Sequence, residues 1–177
     1  MSKSPRPLYT EQQVSARVHE LAQRVSKDYA GKGEVLLVGI LKGAFIFLAD
    51  LSRRLAVPRR VDFMSVASYG GHGSESPRKG GAVRLLLDLR EDIAGKHVLL
   101  VEDIVDTGTT LAYLQRMLKA RGPASLKTCA LLRKAIQRDN DPQVDYLGFE
   151  IEDEWVVGYG LDNGDEHRTL PYIGVLE

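Results

Sequence analysis

The 177 residues predict an α/β fold: an open, mainly parallel sheet flanked by helices. Three observations carry that expectation. V-L-L-V-G-I (Val35 to Ile40) and H-V-L-L-V (His97 to Val101) are short, continuously apolar runs, as strands covered on both faces require. Segments of helical period alternate with such runs, which is the βαβ rhythm. The length and the 44% hydrophobic content suit one domain, 1–177, with a buried core.

The elements follow in order. Tyr9 to Tyr29 reads as an amphipathic helix with Val14, Val18, Leu21, Val25 and Tyr29 on one face. Thr10 and Gln13 form a capping box, and Gly31 offers a stop. Val35 to Ile40 is a strand, Gly43 to Leu55 a second helix, and Val61 to Ala67 a strand. Y-G-G-H-G-S-E-S-P-R-K-G-G, residues 69–81, has no apolar anchor after Tyr69 and predicts a mobile loop. A-V-R-L-L-L-D returns to strand, and His97 to Val101 is the next one. Thr109 to Arg121 is helical with Leu111, Leu114 and Leu118 inward, Gly122 past its end and Pro123 beyond. Leu126 to Leu132, Tyr146 to Phe149, Val156 to Tyr159 and Tyr172 to Leu176 read as strands.

Composition narrows the partners. Twenty-four Lys and Arg balance twenty-four Asp and Glu, so no global basic field recruits nucleic acid or an anionic membrane. Cys129, the only cysteine, has no disulfide partner within the chain and reads as a small buried hydrophobe. M-S-K-S-P-R-P-L-Y-T has no signal-peptide core, and no apolar run is long enough to span a bilayer, so a cytoplasmic protein is expected.

Val98 to Leu111, V-L-L-V-E-D-I-V-D-T-G-T-T-L, is where chemistry concentrates. A buried strand ends on Glu102 and Asp103, and Asp106 precedes a Thr107-Gly108-Thr109-Thr110 turn into a helix. Open parallel sheets bind ligands outside the carboxyl ends of their strands. The helix start offers free N–H groups and a dipole to an anion such as phosphate. The acids suit sugar hydroxyls or Mg²⁺. A phosphorylated sugar uses both halves. The blander alternative is a helix capped by Asp106 or Thr107 with the other acids solvated, which explains one acid and leaves two. There is no G-x-x-x-x-G-K-[ST] and no strand-coupled G-x-G-x-x-G, and Asp103 and Asp106 lie three apart, not two as D-x-D requires. His19, His72, His97 and His167 have no metal-ligand spacing.

V-E-D-I-V-D-T-G-T-T resembles the signature of type I phosphoribosyltransferases, which bind 5-phosphoribosyl 1-diphosphate (PRPP). L-K-G (41–43), V-D-F-M-S-V-A-S-Y-G (61–70), Y-L-G-F-E-I-E-D-E-W-V-V-G-Y-G-L-D (146–162) and L-P-Y-I-G (170–174) are similar, in order, to the bacterial hypoxanthine-guanine branch of that family. The resemblance implies that family's fold, with a small hood over the sheet and the 69–81 loop closing on the site. It implies purine salvage: transfer of phosphoribose from PRPP to N9 of hypoxanthine or guanine, giving IMP or GMP plus pyrophosphate, with Mg²⁺ as cofactor. Glu102 and Asp103 would bind the ribose hydroxyls. Asp106, Thr107, Gly108, Thr109 and Thr110 would hold the 5′-phosphate, with Asp106 also the acid or base at purine N7. Lys42, Gly43, Ser68, Tyr69 and Arg168 would meet pyrophosphate, and the Leu41–Lys42 peptide falls where the family often has a cis bond. Lys134, Trp155, Val156 and Asp162 would form the purine side. Lys134 would donate to O6, Trp155 would stack, and Val156 would turn its carbonyl to the base. Glu102, Asp103 and Asp162 would ligate the metal. The implied assembly is a homodimer or homotetramer, with PRPP and a 6-oxopurine as substrates.

Two departures stand out: the acidic run Asn163 to His167 before Arg168, and Arg133 beside Lys134. Three rivals stay open: the same fold serving xanthine, adenine or a pyrimidine, a regulatory nucleic-acid binder that keeps the phosphate site, and a structural assembly protein.

Overall fold

The structure, a computed structural model, describes residues 4–68, 83–138 and 141–176. Its elements are β1 (Arg6–Tyr9), α1 (Glu11–Tyr29), β2 (Val35–Leu41), α2 (Phe45–Arg54), β3 (Arg59–Ser68), β4 (Val83–Leu87), β5 (His97–Val105), α3 (Thr109–Lys119), β6 (Ser125–Lys134), β7 (Tyr146–Ile151), β8 (Val156–Val157) and β9 (Ile173–Val175). Six strands form one sheet in the order β4-β3-β2-β5-β6-β7. All neighbours in it run parallel except β4, which is antiparallel to β3. A small antiparallel sheet, β1-β9-β8, forms the hood.

The continuous apolar runs are explained by two cores. On β2, Val35 and Leu37 join the core built with α1 and α2, while Leu36, Val38 and Ile40 join the core built with α3. On β5, Leu99 and Val101 face the first, and Val98, Leu100 and Val105 the second. Over Val35–Ile40 and Val98–Val101 the side chains alternate between faces, and both faces are dry. The chain leaves β2 toward β3 on one side and returns to β5 on the other, which opens a crevice between the carboxyl ends of β2 and β5.

The boundaries differ from expectation in instructive places. The capping box of α1 forms, with Gln13 N–H donating to Thr10 Oγ1 at 3.3 Å and Thr10 N–H to Gln13 Oε1 at 2.8 Å, so the helix starts after Tyr9 rather than at it. Tyr9 instead ends β1, an element that Pro5 and Pro7 hide. Proline cannot donate to a ladder but is tolerated on an edge strand, and β1 is one. α2 is shorter than Gly43 to Leu55, and α3 ends two residues before Arg121. β5 runs four residues past Val101 because its partner β6 continues to Lys134. Lys134, two residues past the expected end at Leu132, is therefore a buried strand residue. Cys129 is buried, as expected. The 69–81 loop, Tyr69, His72 and the side chain of Ser68 lie outside the described residues.

Candidate active site

The carboxyl ends of β2, β5 and β6 meet the chain between Ile151 and Arg168. β2 ends at Leu41, and the Leu41–Lys42 peptide is cis. Behind it the backbone of Gly43 packs so closely on β5 that a Cβ there would fall 1.6 Å from Asp103 Oδ2. From the other side, a Cβ on Gly160, whose φ is +108°, would fall 1.9 Å from the Gly43 carbonyl oxygen. Two glycines thus let three segments stack where any side chain would force them apart.

Of the acids on β5, Glu102 is buried and Asp103 half-buried rather than solvated. Glu102 is 6% exposed, and its Oε2 has no hydrogen-bond partner among the described residues. Burial pushes its carboxyl well above the usual range, and the neighbouring Asp103 charge adds to this. Asp103 is pushed up to about 6, chiefly by burial. The Ile104 N–H, donating to Oδ1 at 2.9 Å, and the Arg168 charge oppose the rise, while Asp162 adds to it. A buried carboxylate with an idle oxygen is costly to keep charged. A hydroxyl donor or a cation relieves that cost, so the pair is built to receive a ligand.

Beyond β5, Gly108 at φ +80° is the N-cap of α3 and has no side chain with which to cap it. The expected alternative of an Asp106 or Thr107 cap is therefore corrected: glycine takes the left-handed turn that a larger residue disfavours. Thr107 and Thr109 join their hydroxyls at 3.3 Å. The Thr109 N–H donates to Thr107 Oγ1 at a long 3.5 Å, and the start of α3 presents its N–H groups and its dipole to an anion.

Asp106 is half exposed beside Lys134, whose Nζ lies 3.6 Å from Asp106 Oδ2 and 2.8 Å from Asp153 Oδ1. Asp153 went unnoticed in the sequence; only its place in I-E-D-E-W, two residues before Trp155, marks it. Trp155 is 52% exposed, so its indole is available to a flat ligand, and Val156 is buried on β8 against Val175. Arg138, also unnoticed, donates from Nε to the Asp106 carbonyl at 2.8 Å.

On the far side, Arg168 Nη2 lies 2.8 Å from both Asp162 Oδ1 and Asp165 Oδ1, and Nη1 donates to the Gly160 carbonyl at 2.9 Å. Lys42 Nζ reaches the same Asp165 at 2.9 Å. Asp165 is thus an internal anion held by the two cations expected to meet pyrophosphate, and their positive charge holds its carboxyl below the usual range. The acidic run 163–167 had signalled a departure but not this contact. Asp103, Gly43 and Gly160 form one group, Asp106, Lys134 and Asp153 a second, and Lys42, Asp162, Asp165 and Arg168 a third. Glu102, Asp103 and Asp162 do not gather into a ready-made metal cage among the described residues. Arg133, the other departure, pairs with Asp141.

The model of the phosphoribosyl transferase domain matches residues 7–163. The hypoxanthine phosphoribosyltransferase of Salmonella typhimurium is 47% identical over 93% of this chain and 90% of its own. The hypoxanthine-guanine phosphoribosyltransferase of Mycobacterium tuberculosis is 45% identical over 96% and 85%. The crystal structure of the hypoxanthine phosphoribosyltransferase of Trypanosoma cruzi superposes with a TM-score of 0.87 at 43% identity, covering 98% of this chain and 97% of that one. A signature strand and turn that fold as that architecture requires, matched along nearly the whole chain, make this protein a member of the phosphoribosyltransferase family.

Proposed function

We propose that the protein transfers the phosphoribosyl group of PRPP to N9 of a 6-oxopurine, hypoxanthine or guanine, releasing pyrophosphate. The observation that carries this is the end of β5: a buried acid with an oxygen idle among the described residues and a half-buried acid beside it, followed at once by a helix start whose N-cap is a glycine. Ribose hydroxyls donate to Glu102 and Asp103, and the 5′-phosphate accepts from the Thr107–Thr110 turn. Purine N9 attacks C1 while the bond to the pyrophosphate oxygen breaks and its electron pair leaves with pyrophosphate. The N7 proton passes to Asp106. Lys134 donates to O6, an acceptor in hypoxanthine and guanine, whereas adenine presents an amino group and leaves two donors facing each other. Trp155 covers the base. Lys42 and Arg168 receive pyrophosphate once Asp165 releases them.

The donor set fits Mg²⁺. Hard cations take oxygen ligands, and Mg²⁺ is commonly held by one or two carboxylates plus substrate oxygens rather than by a complete protein cage. Glu102, Asp103 and Asp162 supply carboxylates, and Glu102 Oε2 is unengaged among the described residues. Bound there, the ion would neutralise charge on the departing pyrophosphate. We place the protein in the cytoplasm as a homodimer or homotetramer. A Trypanosoma cruzi relative, 43% identical, has been studied for the role of its C-terminal region in oligomeric state and activity. No helix among the described residues is long and apolar enough to cross a membrane.

A panel of bases with PRPP and Mg²⁺ tests the reading. Hypoxanthine and guanine should turn over and adenine should not. Asp106→Asn should lose about 10²–10⁴-fold in kcat. Equal use of adenine overturns the role of Lys134, and an undiminished kcat overturns that of Asp106.

A further inference from the structure

Arg138 is the most deeply engaged cation near the site, and the proposed reaction gives it no task. Its side chain is 3% exposed. Nε donates to the Asp106 carbonyl at 2.8 Å, Nη2 to the carbonyls of Val105 at 3.2 Å and Lys134 at 2.5 Å, and Nη1 to that of Ile136 at 3.2 Å. The nearest carboxylate oxygen recorded for it, Asp141 Oδ1, is 3.8 Å away, and Asp141 is already held by Arg133. A buried guanidinium is costly unless its N–H groups are satisfied, and here backbone carbonyls do most of that work.

Those carbonyls belong to two different strand ends. Val105 is the last residue of β5 and leads into Asp106, and Lys134 is the last residue of β6. The β5–β6 ladder pairs Val105 with Arg133, and beyond that register no ladder pairing joins the two exits. Arg138 takes over there. The same segment underlies the phosphate turn: a Cβ on Gly108 would fall 3.3 Å from Arg138 Cδ and 2.7 Å from Pro142 Cδ.

We propose that Arg138 is a positioning residue that staples the ends of β5 and β6 together. It thereby fixes the separation between the Asp106 carboxylate and the Lys134 ammonium and supports the phosphate turn. The consequence for turnover rests on the phosphoribosyl transfer proposed above; the staple itself does not. Lysine cannot replace the planar fork, because one ammonium cannot reach four carbonyls spread over two strands.

Two measurements on Arg138→Lys and Arg138→Ala separate the possibilities. Hydrogen exchange in the absence of substrate should show faster exchange confined to peptides spanning 105–111 and 134–138, with α1, α2, α3 beyond its first turn and the rest of the sheet unchanged. Unchanged exchange there, or loosening spread over the whole chain, overturns the staple whatever the enzyme's activity. In steady state with hypoxanthine and PRPP, Arg138→Lys should lose about 10- to 100-fold in kcat, as a displacement of about 1 Å can cause. KM for hypoxanthine should change less. Guanidinium chloride at tens of millimolar should restore at least tenfold to Arg138→Ala, and equal NaCl should not. A wild-type kcat in Arg138→Lys, or equal rescue by both salts, overturns the positioning role. Failure of the wild type itself to turn over 6-oxopurines strikes the proposed reaction and leaves the exchange result to decide the staple.

Discussion

At the N-terminal rim of the six-stranded sheet, Arg60 lies between Glu34 at 2.9 Å and Glu91 at 3.1 Å, and Lys96 shares Glu91 at 2.8 Å. Arg121 grips Asp88 with two bonds of 2.8 Å, and Asp62 accepts from the N–H groups of Phe63 and Arg90. At the carboxyl rim of the same strands, Glu102 keeps an oxygen without a partner among the described residues, Asp103 is pushed up to about 6, and α3 starts on a glycine N-cap. One rim satisfies its polar groups internally, and the other leaves capacity unused. Strand ends and helix ends must satisfy their backbone and charge somewhere. Where the protein does not do so itself, a ligand can, and the cost of waiting for it is borne by the rim that is otherwise the less stable.

The sharpest way to break this comparison is to neutralise the acids of the carboxyl rim together. Glu102→Gln with Asp103→Asn should lose about 10²–10⁴-fold in kcat/KM for PRPP, from about 1.5–3 kcal/mol per charge-assisted hydrogen bond. The same protein should melt about 2–4 °C higher at pH 8, for each kcal/mol of relieved burial. The sign follows from the raised pKa values. Proton uptake stabilises the folded wild type fully below the unfolded carboxyl pKa of about 4, and that stability is lost as the pH rises through about 6. The gain in the variant should therefore appear above pH 6 and vanish below about pH 4. Calorimetry showing no such pH dependence would mean that the two acids are not held at a cost.

A smaller effect is expected at the glycine stack. Gly43→Ala places a Cβ against Asp103 Oδ2 and should destabilise the fold by about 1–3 kcal/mol, the usual range for overpacking. Activity should fall further than stability does, because the displaced atom belongs to the candidate site. Preserved kcat with lowered Tm would show that the stack serves packing alone. The smallest effect belongs to the opposite rim. Asp88→Asn removes an ion pair that is partly exposed on both sides and should cost about 0–1 kcal/mol, with kcat/KM unchanged. A loss of turnover there would blur the division between the rims.

Local chemistry was legible because its causes are local. The capping box at Thr10, the inward face of α1 and the Leu111, Leu114 and Leu118 stripe of α3 all stand as read, since a helix face needs only its own period. The acid-rich strand end and the glycine turn were legible for the same reason. β1 was not, because a strand containing proline is a strand only when β9 lies beside it. Arg138, Asp153 and Asp165 were not either. Each acts on a residue from another segment: Arg138 on Val105 and Asp106, Asp153 on Lys134, Asp165 on Lys42. No spacing rule connects them.

What the sequence determined by itself is the order of strands and helices after β1, the dry faces and the segment that carries the chemistry, because period and capping are properties of neighbours along the chain. The tertiary structure decided which oxygen stays idle, which cation is occupied by which acid, and how far Lys134 stands from Asp106. Those are matters of burial and approach between distant segments, and only packing sets them.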